Sequence, residues 1–253
     1  MAFDLQKASM WKRISAFLFD AILLTVCAVL FAWGLSALTR YDGYSRTVSD
    51  SYKRYGQEYQ VDLRISLKEY EALSPEEAQR VDEAFAALNN DEKALRAHQM
   101  MLQLSVLILS LGFFFAFFLW EFIIPLRLGD GQTVGKKIFG LGVMKTDSTR
   151  VHGPTLFIRG ILGKYTIETM IPALIILMLY WGTIGVVGPI VIGLILLTEI
   201  ILMVAMPTNA LIHDVLAGTV VIDEASQRIF ETPEEAAAFK AQAAAEAAAK
   251  TEY

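Results

Sequence analysis

Residues 169–198, "TMIPALIILMLYWGTIGVVGPIVIGLILLT", form a run of 30 positions without one charged side chain. Ala21 to Leu38 adds an uncharged run of 18 residues, and Met100 to Trp120 one of 21. A helix needs about 20 apolar residues to cross about 30 Å of hydrocarbon, where its backbone groups must satisfy one another. Of the 253 residues, 55% are hydrophobic and only 19% charged, against about a quarter charged in ordinary soluble domains. The chain is therefore read as an all-α integral membrane protein.

The first span is placed at Ile14–Leu38 and the second at Met100–Ile124, stopped by Pro125. Tyr165 to Ile212 is 48 residues long, with only Glu168 and Glu199 charged. A single helix of that length would overshoot the bilayer about twofold. "WGTIGVVGP" (181–189) supplies turn-forming glycines and a proline near the middle. Two spans, about 166–181 and 186–206, are expected rather than one, which makes four. Lys7, Lys12 and Arg13 precede the first apolar run as in a signal peptide. The run is longer than such a segment and lacks a small-residue cleavage site, so it is read as a retained anchor.

Basic residues in short loops set orientation. The connection 125–165 carries seven Lys/Arg (Arg127, Lys136, Lys137, Lys145, Arg150, Arg159, Lys164) against Asp130 and Asp147. With the basic N-terminal segment, it is assigned to the cytoplasm. Alternation then places the insert 39–99, with nine basic and twelve acidic residues, outside. Residues 207–253 return to the cytoplasm.

The expected organisation is an N-terminal tail and first span (1–38), a partly helical external insert (39–99), a second span (100–124) and a cytoplasmic loop (125–165). The third and fourth spans (166–206) and a cytoplasmic C-terminal segment with an Ala/Glu-rich helical tail (207–253) follow. "SPEEA" at 74–78 is a capping box, with Ser74 as N-cap, Pro75 at the first helical position and Glu77 reaching back. "TPEEA" at 232–236 repeats the device. Segments 138–151 and 218–223 read as short extended pieces on the cytoplasmic side.

Several activities find no support. "DGQTVGKK" (130–137) is not a phosphate-binding loop: Gly131 and Gly135 are one residue too close, and Lys137 stands where a Mg²⁺-binding hydroxyl is required. It reads as a tight turn with two lysines facing lipid headgroups. His98, His152 and His213 lie in separate segments without metal-ligand spacing. Cys27 is the single cysteine, so no internal disulfide forms. No nucleophile constellation is visible. No enzyme activity, cofactor, bound metal or nucleic-acid partner is expected.

The informative residues are carboxylates. Asp20, Glu121, Glu168 and Glu199 all fall in the cytoplasmic halves of the assigned spans. A charge at mid-bilayer costs about 2.5–3.5 kcal/mol on insertion scales, so such groups pair or face the bundle interior. Lys164 and Glu168 stand at i,i+4 and can meet within one helix. Glu121 suits snorkelling to the interface. Arg13 and Asp20 lie about 10.5 Å apart along one helix, too far for a direct bond. Asp20 therefore needs a partner from another segment, and Arg159 is the candidate. Two uses remain: a cation or proton site made by Asp20, Glu168 and Glu199, or a structural network neutralised by arginines.

"RISAFLFDAILL", "GQTVGKKIFGLGVMKTD", "LFIRGILGK" and "HDVLAGTVVI" occur in this order, over 11–38 and about 110–223. In combination they resemble the RDD family of prokaryotic inner-membrane proteins, named for one arginine and two aspartates. The resemblance maps those residues to Arg13, Asp20 and Asp214, and the family's glycine-lysine turn to Gly131, Thr133, Gly135 and Lys136. It brings His213 and Asp214 to the layer of Arg13 and Arg159. It implies a small multi-pass protein of the inner membrane, to which the basic-loop count adds that both termini are cytoplasmic. Transport of a small ion or solute, including cation/proton exchange, is the implied role, and four spans per chain favour a homo-oligomer. The long insert departs from the compact loop expected of the family. It suits a non-catalytic scaffold or assembly factor that grips an external protein partner through 39–99 or the tail.

Overall fold

The computed structural model describes residues 8–251. The tail residues 1–7, with Lys7, and the last two residues of the helical tail lie outside the described residues. Among those described, four helices are long and apolar enough to cross a membrane: Met10–Thr39, Glu92–Leu128, Gly153–Tyr180 and Val187–Ala205. The fold is that of an all-α membrane protein with a partly helical insert and one small sheet.

Span boundaries differ from the sequence expectation at several ends, and the second helix already begins at Glu92 rather than Met100. Pro125 does not stop the second helix, which runs on to Leu128. The third helix begins at Gly153 rather than near 166. The second helix running on through Pro125 and the third through Pro172 have one cause. Leu119–Ile123 and Ile158–Met170 are wound as π-helix. Each π segment ends where an N–H reaches back five residues, Ile124 to Leu119 O and Ile171 to Thr166 O. The next residue in each case is a proline, Pro125 or Pro172, which has no N–H to place. The wider turn absorbs the proline within a continuous helix. Thr166 and Thr169 cap carbonyls of the same wide turns, donating to Ile161 O at 2.9 Å and Lys164 O at 2.8 Å.

The third and fourth spans are separate helices. The third ends at Tyr180, and the reversal uses Gly182 and Gly185 in left-handed conformation (φ +67° and +55°). Those dihedrals are open to glycine and strained for other residues.

The described residues form two compact units, 8–28 with 114–251, and 29–113. The second unit holds the insert. Tyr41–Glu58, Leu67–Glu71 and Pro75–Asn90 are helical, and Leu63, Val81, Ala84, Leu88 and Ala94 form their own apolar core. The Ser74 capping box is formed, with Glu77 Oε2 accepting from Ser74 N at 3.0 Å.

In the first unit, β1 (Leu141–Lys145) pairs antiparallel with β2 (Thr219–Asp223), Val143 opposite Val221. Leu141, Val143 and Val221 form a buried core with Ala16 of the first span. Lys12 is tied to Asp223 at 2.5 Å. The C-terminal helix Pro233–Thr251 follows, and Glu235 N donates to Thr232 Oγ1 at 3.2 Å. Unlike Glu77, the Glu235 carboxylate turns to Glu231 N instead of completing a reciprocal box.

Candidate functional site: a buried charged layer

Asp20 is buried at 6% exposure, and its partner is not Arg159. It accepts three hydrogen bonds from neutral donors. Trp120 Nε1 reaches Oδ1 at 3.0 Å and Gly135 N reaches the same oxygen at 2.7 Å. Thr133 donates its hydroxyl to Oδ2. The donors Thr133 and Gly135 flank the start of the short helix Val134–Ile138, whose N–H groups have no intrahelical acceptor. A carboxylate placed there satisfies them and gains from their aligned dipoles.

This explains the composition of the turn. Thr133 both caps the helix, accepting from Lys136 N, and binds Asp20. A Cβ on Gly135 would meet Asp20 Oδ1 at 2.9 Å and collide with the Ala16 carbonyl. Gly131 has φ +60°, and a Cβ there would press on Val151 and Val143. Lys136 does not face headgroups. It is buried and turned inward, with Nζ on Thr133 Oγ1 at 3.3 Å. Burial, then the neighbouring Lys164, pull its ammonium down to about 7, while Glu121 opposes them. Lys137, the other lysine of the turn, is exposed.

Asp214, 1% exposed, is the second centre. Arg159 Nη2 and Nε reach its Oδ1 at 2.7 and 3.1 Å, and Thr219 Oγ1 reaches it at 3.2 Å. Arg13 Nη2 approaches Oδ2 at 3.4 Å while its Nη1 holds the Asn209 carbonyl at 2.7 Å. Burial alone would raise the Asp214 carboxyl. Arg159, His213 and Arg13 outweigh it and hold the group well below the ordinary carboxylate range.

His213 joins this centre to a third. Its Nε2 lies 3.1 Å from Arg159 Nη2. A guanidinium only donates, so Nε2 accepts, which assigns the proton of a neutral ring to Nδ1. Nδ1 then donates to Glu168 at 2.8 Å, beside a backbone donation from His213 N at 2.8 Å. Burial draws the imidazole below its ordinary value against the pull of Asp214. Glu199 of the fourth span accepts from Ile212 N at 3.3 Å and lies carboxylate to carboxylate with Glu168.

Two further expectations are corrected by the Lys164–Glu121 pair. Lys164 does not pair with Glu168 four residues on. It bonds Glu121 of the second helix at 2.6 Å instead. Glu121 does not snorkel, since its side chain is only 10% exposed. Two glycines bring the elements together. A Cβ on Gly160 would meet the Glu121 carbonyl at 2.5 Å, and one on Gly163 the His213 Cβ at 2.6 Å. Trp120, Thr219 and Asn209 are participants that charge matching could not find, because none carries a charge. Among the described residues, no group of three or more His, Cys, Asp or Glu is arranged to hold a metal ion.

Fold and site together define a multi-span helical membrane protein whose intramembrane charges are gathered into one buried layer. The chain belongs to the RDD family: the family's sequence model matches residues 7–218. The matched stretch holds Arg13, Asp20 and Asp214, and with them the donors Thr133, Gly135 and Arg159. No curated protein and no solved structure matches the chain.

Proposed function

We propose that the protein transports a small cation, or assists such transport, in exchange for protons at this layer. The observation behind the reading is the Glu168–Glu199 pair, two carboxylates from neighbouring spans facing each other beside His213. Two such groups held close favour one shared positive charge, a proton or a metal cation, over two bare anions. Intramembrane acids that are not fully committed to arginines commonly serve as ion or proton stations.

The geometry divides the roles. Asp20 already has three donors and fixes the turn 131–136 to the first span. Arg13 and Arg159 neutralise Asp214. Glu168 and Glu199 remain for exchange. On this reading the protein is not an enzyme and uses no cofactor. It sits in the inner membrane with both termini cytoplasmic, and homo-oligomers complete the path. Reconstituted wild-type protein should show cation flux driven by a pH gradient, and Glu199→Gln should abolish it while leaving the protein monodisperse. Equal flux through the variant would remove the reading.

A second reading is favoured by one observation: the insert has a core of its own around Val81 and Ala84. It is a membrane scaffold that holds a protein partner through 39–99. In that case, exchanging residues 45–95 for a short linker releases a co-purifying partner, and Glu199→Gln releases nothing.

A further inference from the structure

The charged layer borders a cavity of about 530 Å³ with two unlike sides. One side is apolar, made by Ile14, Phe17, Leu24, Phe117 and Met203. The other is charged, with Arg13, Lys136, Arg159 and Lys164 set among Asp20, Glu121 and Glu168. Ile14 and Phe17 continue the apolar side onto the outer surface of the first span, where they are 42% and 66% exposed. The cavity therefore opens towards the surface that acyl chains cover.

The occupancy of each polar group identifies the chemistry missing from this cavity. Asp20 has three donors. Glu121 has Lys164, and Glu168 has both the backbone and ring N–H of His213. Each of these three lining carboxylates already holds hydrogen-bond donors, whatever further proton or cation the Glu168–Glu199 pair takes up. Lys136 is the opposite case. The residue is 8% exposed and its ammonium offers three protons, yet the hydrogen-bond acceptor it has is the Thr133 hydroxyl at 3.3 Å, with Glu121 and Asp20 acting on it as charges without a hydrogen bond. The remaining valency at the cavity floor is thus donor valency, and it calls for an acceptor, best an anionic one. A small soluble ion would leave the apolar side wetted. A molecule with both an anionic head and an apolar body satisfies both sides at once.

We propose that this cavity binds an anionic phospholipid, its phosphate on Lys136 and its acyl chain along Phe17, Leu24 and Phe117. The site does not depend on whether the layer carries ions, because it draws on the unfilled donors and the apolar wall alone. A bound phosphate would complete the coordination of Lys136 and hold its positive charge at neutral pH.

The test uses full-length protein in mild detergent, titrated with phosphatidylglycerol, phosphatidylcholine or inorganic phosphate. Bound lipid is read by native mass spectrometry and protection by thermal unfolding. Phosphatidylglycerol should bind one to one, at least tenfold tighter than phosphatidylcholine. Lys136→Gln should erase that preference, whereas Lys137→Gln, at the exposed neighbour, should keep it. Leu24→Trp, which fills the apolar side, should weaken both lipids. Equal binding of the two lipids by wild type overturns the proposal, as does a preference that survives Lys136→Gln. Protection by inorganic phosphate equal to that of the lipid also overturns it, because the site would then serve a soluble anion. If Lys136→Gln does not fold, Lys136→Arg and Leu24→Trp decide. Loss of the preference in the arginine variant, or undiminished lipid binding in the tryptophan variant, rejects the site.

Discussion

Asp20 accepts the Gly135 amide at 2.7 Å across 115 positions of sequence. A carboxylate in the first span is thereby solvated by the start of a helix in the loop after the second. The charge is held by dipoles and neutral donors, not by a cation. Such an arrangement stabilises the ion while fixing the distance between two backbones, which an arginine on a long flexible stem would do less rigidly.

Asp20→Asn keeps an acceptor for Gly135 or Trp120 but removes the charge and places an amide against the Thr133 hydroxyl. A charge-assisted hydrogen bond in a buried site is worth about 1.5–3 kcal/mol, and the apparent melting temperature should fall accordingly. Thr133→Val should give a loss of the same order, because it removes both the bond to Asp20 and the cap on Lys136 N. The double variant should lose less than the sum, since one interaction is counted in both. Strict additivity in thermal unfolding would show that the two residues are not coupled.

Two glycines of the same loop should respond to alanine for different reasons. At Gly135 the added methyl meets Asp20 and the Ala16 carbonyl, so Gly135→Ala either expels Asp20 or moves the turn. The loss should be about 1–3 kcal/mol, with lower expression of folded protein. Gly140 has open space around it but a φ of +66°, so Gly140→Ala should cost about 1 kcal/mol through backbone strain alone. The Asp20→Asn background separates the two: it should soften the Gly135 effect and leave the Gly140 effect unchanged.

The four spans, the Ser74 capping box and the two short strands could be read from uncharged runs, side-chain spacing and β-branched residues. Those signals are local, and each element carries its own. The partner of Asp20 could not be read that way. Charge matching searches for cations, and the true donors are a threonine, an indole and a backbone N–H. The choice between Arg159 with Asp20 and Arg159 with Asp214 rests on three-dimensional register, which the π turns shift. From sequence Pro125 reads as a stop, and Pro172 lies inside the expected third span without a reading of its own. That each would be absorbed by a π turn depends on whether neighbours hold the helix together on both sides of it, and Gly160 against Glu121 is one such neighbour.

Asp214 holds two arginines, so its loss should cost more than the loss of either. Asp214→Asn leaves Arg13 and Arg159 facing each other without a counter-charge in a buried site. Breaking one side of a buried ion pair typically costs about 3–5 kcal/mol. Arg159→Met alone should be nearly as damaging, since it leaves Asp214 with the longer Arg13 contact and removes the donor to His213 Nε2. Combining Arg159→Met with Asp214→Asn should cost less than the sum of the two single changes, because their shared interaction is counted in both, while Arg13 stays without its counter-charge. Urea or thermal unfolding of the four proteins closes the cycle. A double variant as unstable as the sum of the singles would mean the pair does not act as a unit.

Lys136 gives the layer a pH dependence with a definite sign. Its pKa falls from an ordinary 10.5 to about 7 in the folded protein, chiefly through burial and secondarily through Lys164. Between these values the unfolded chain binds a proton that the folded chain does not, so stability rises with pH across about 7 to 10.5. Below about 7 both states are protonated, and the full burden of the buried ammonium is present. The burden is of the order of a few kcal/mol at most. Lys136→Met should therefore be more stable than wild type at pH 6. The advantage should shrink steadily as pH climbs through the window, because wild type recovers and the variant has nothing to titrate. Subtracting the two stability curves isolates Lys136 from His213 and Asp214, which are common to both proteins. A difference that stays constant from pH 6 to pH 10 would show that Lys136 keeps its charge throughout, and that Glu121 and Asp20 outweigh its burial.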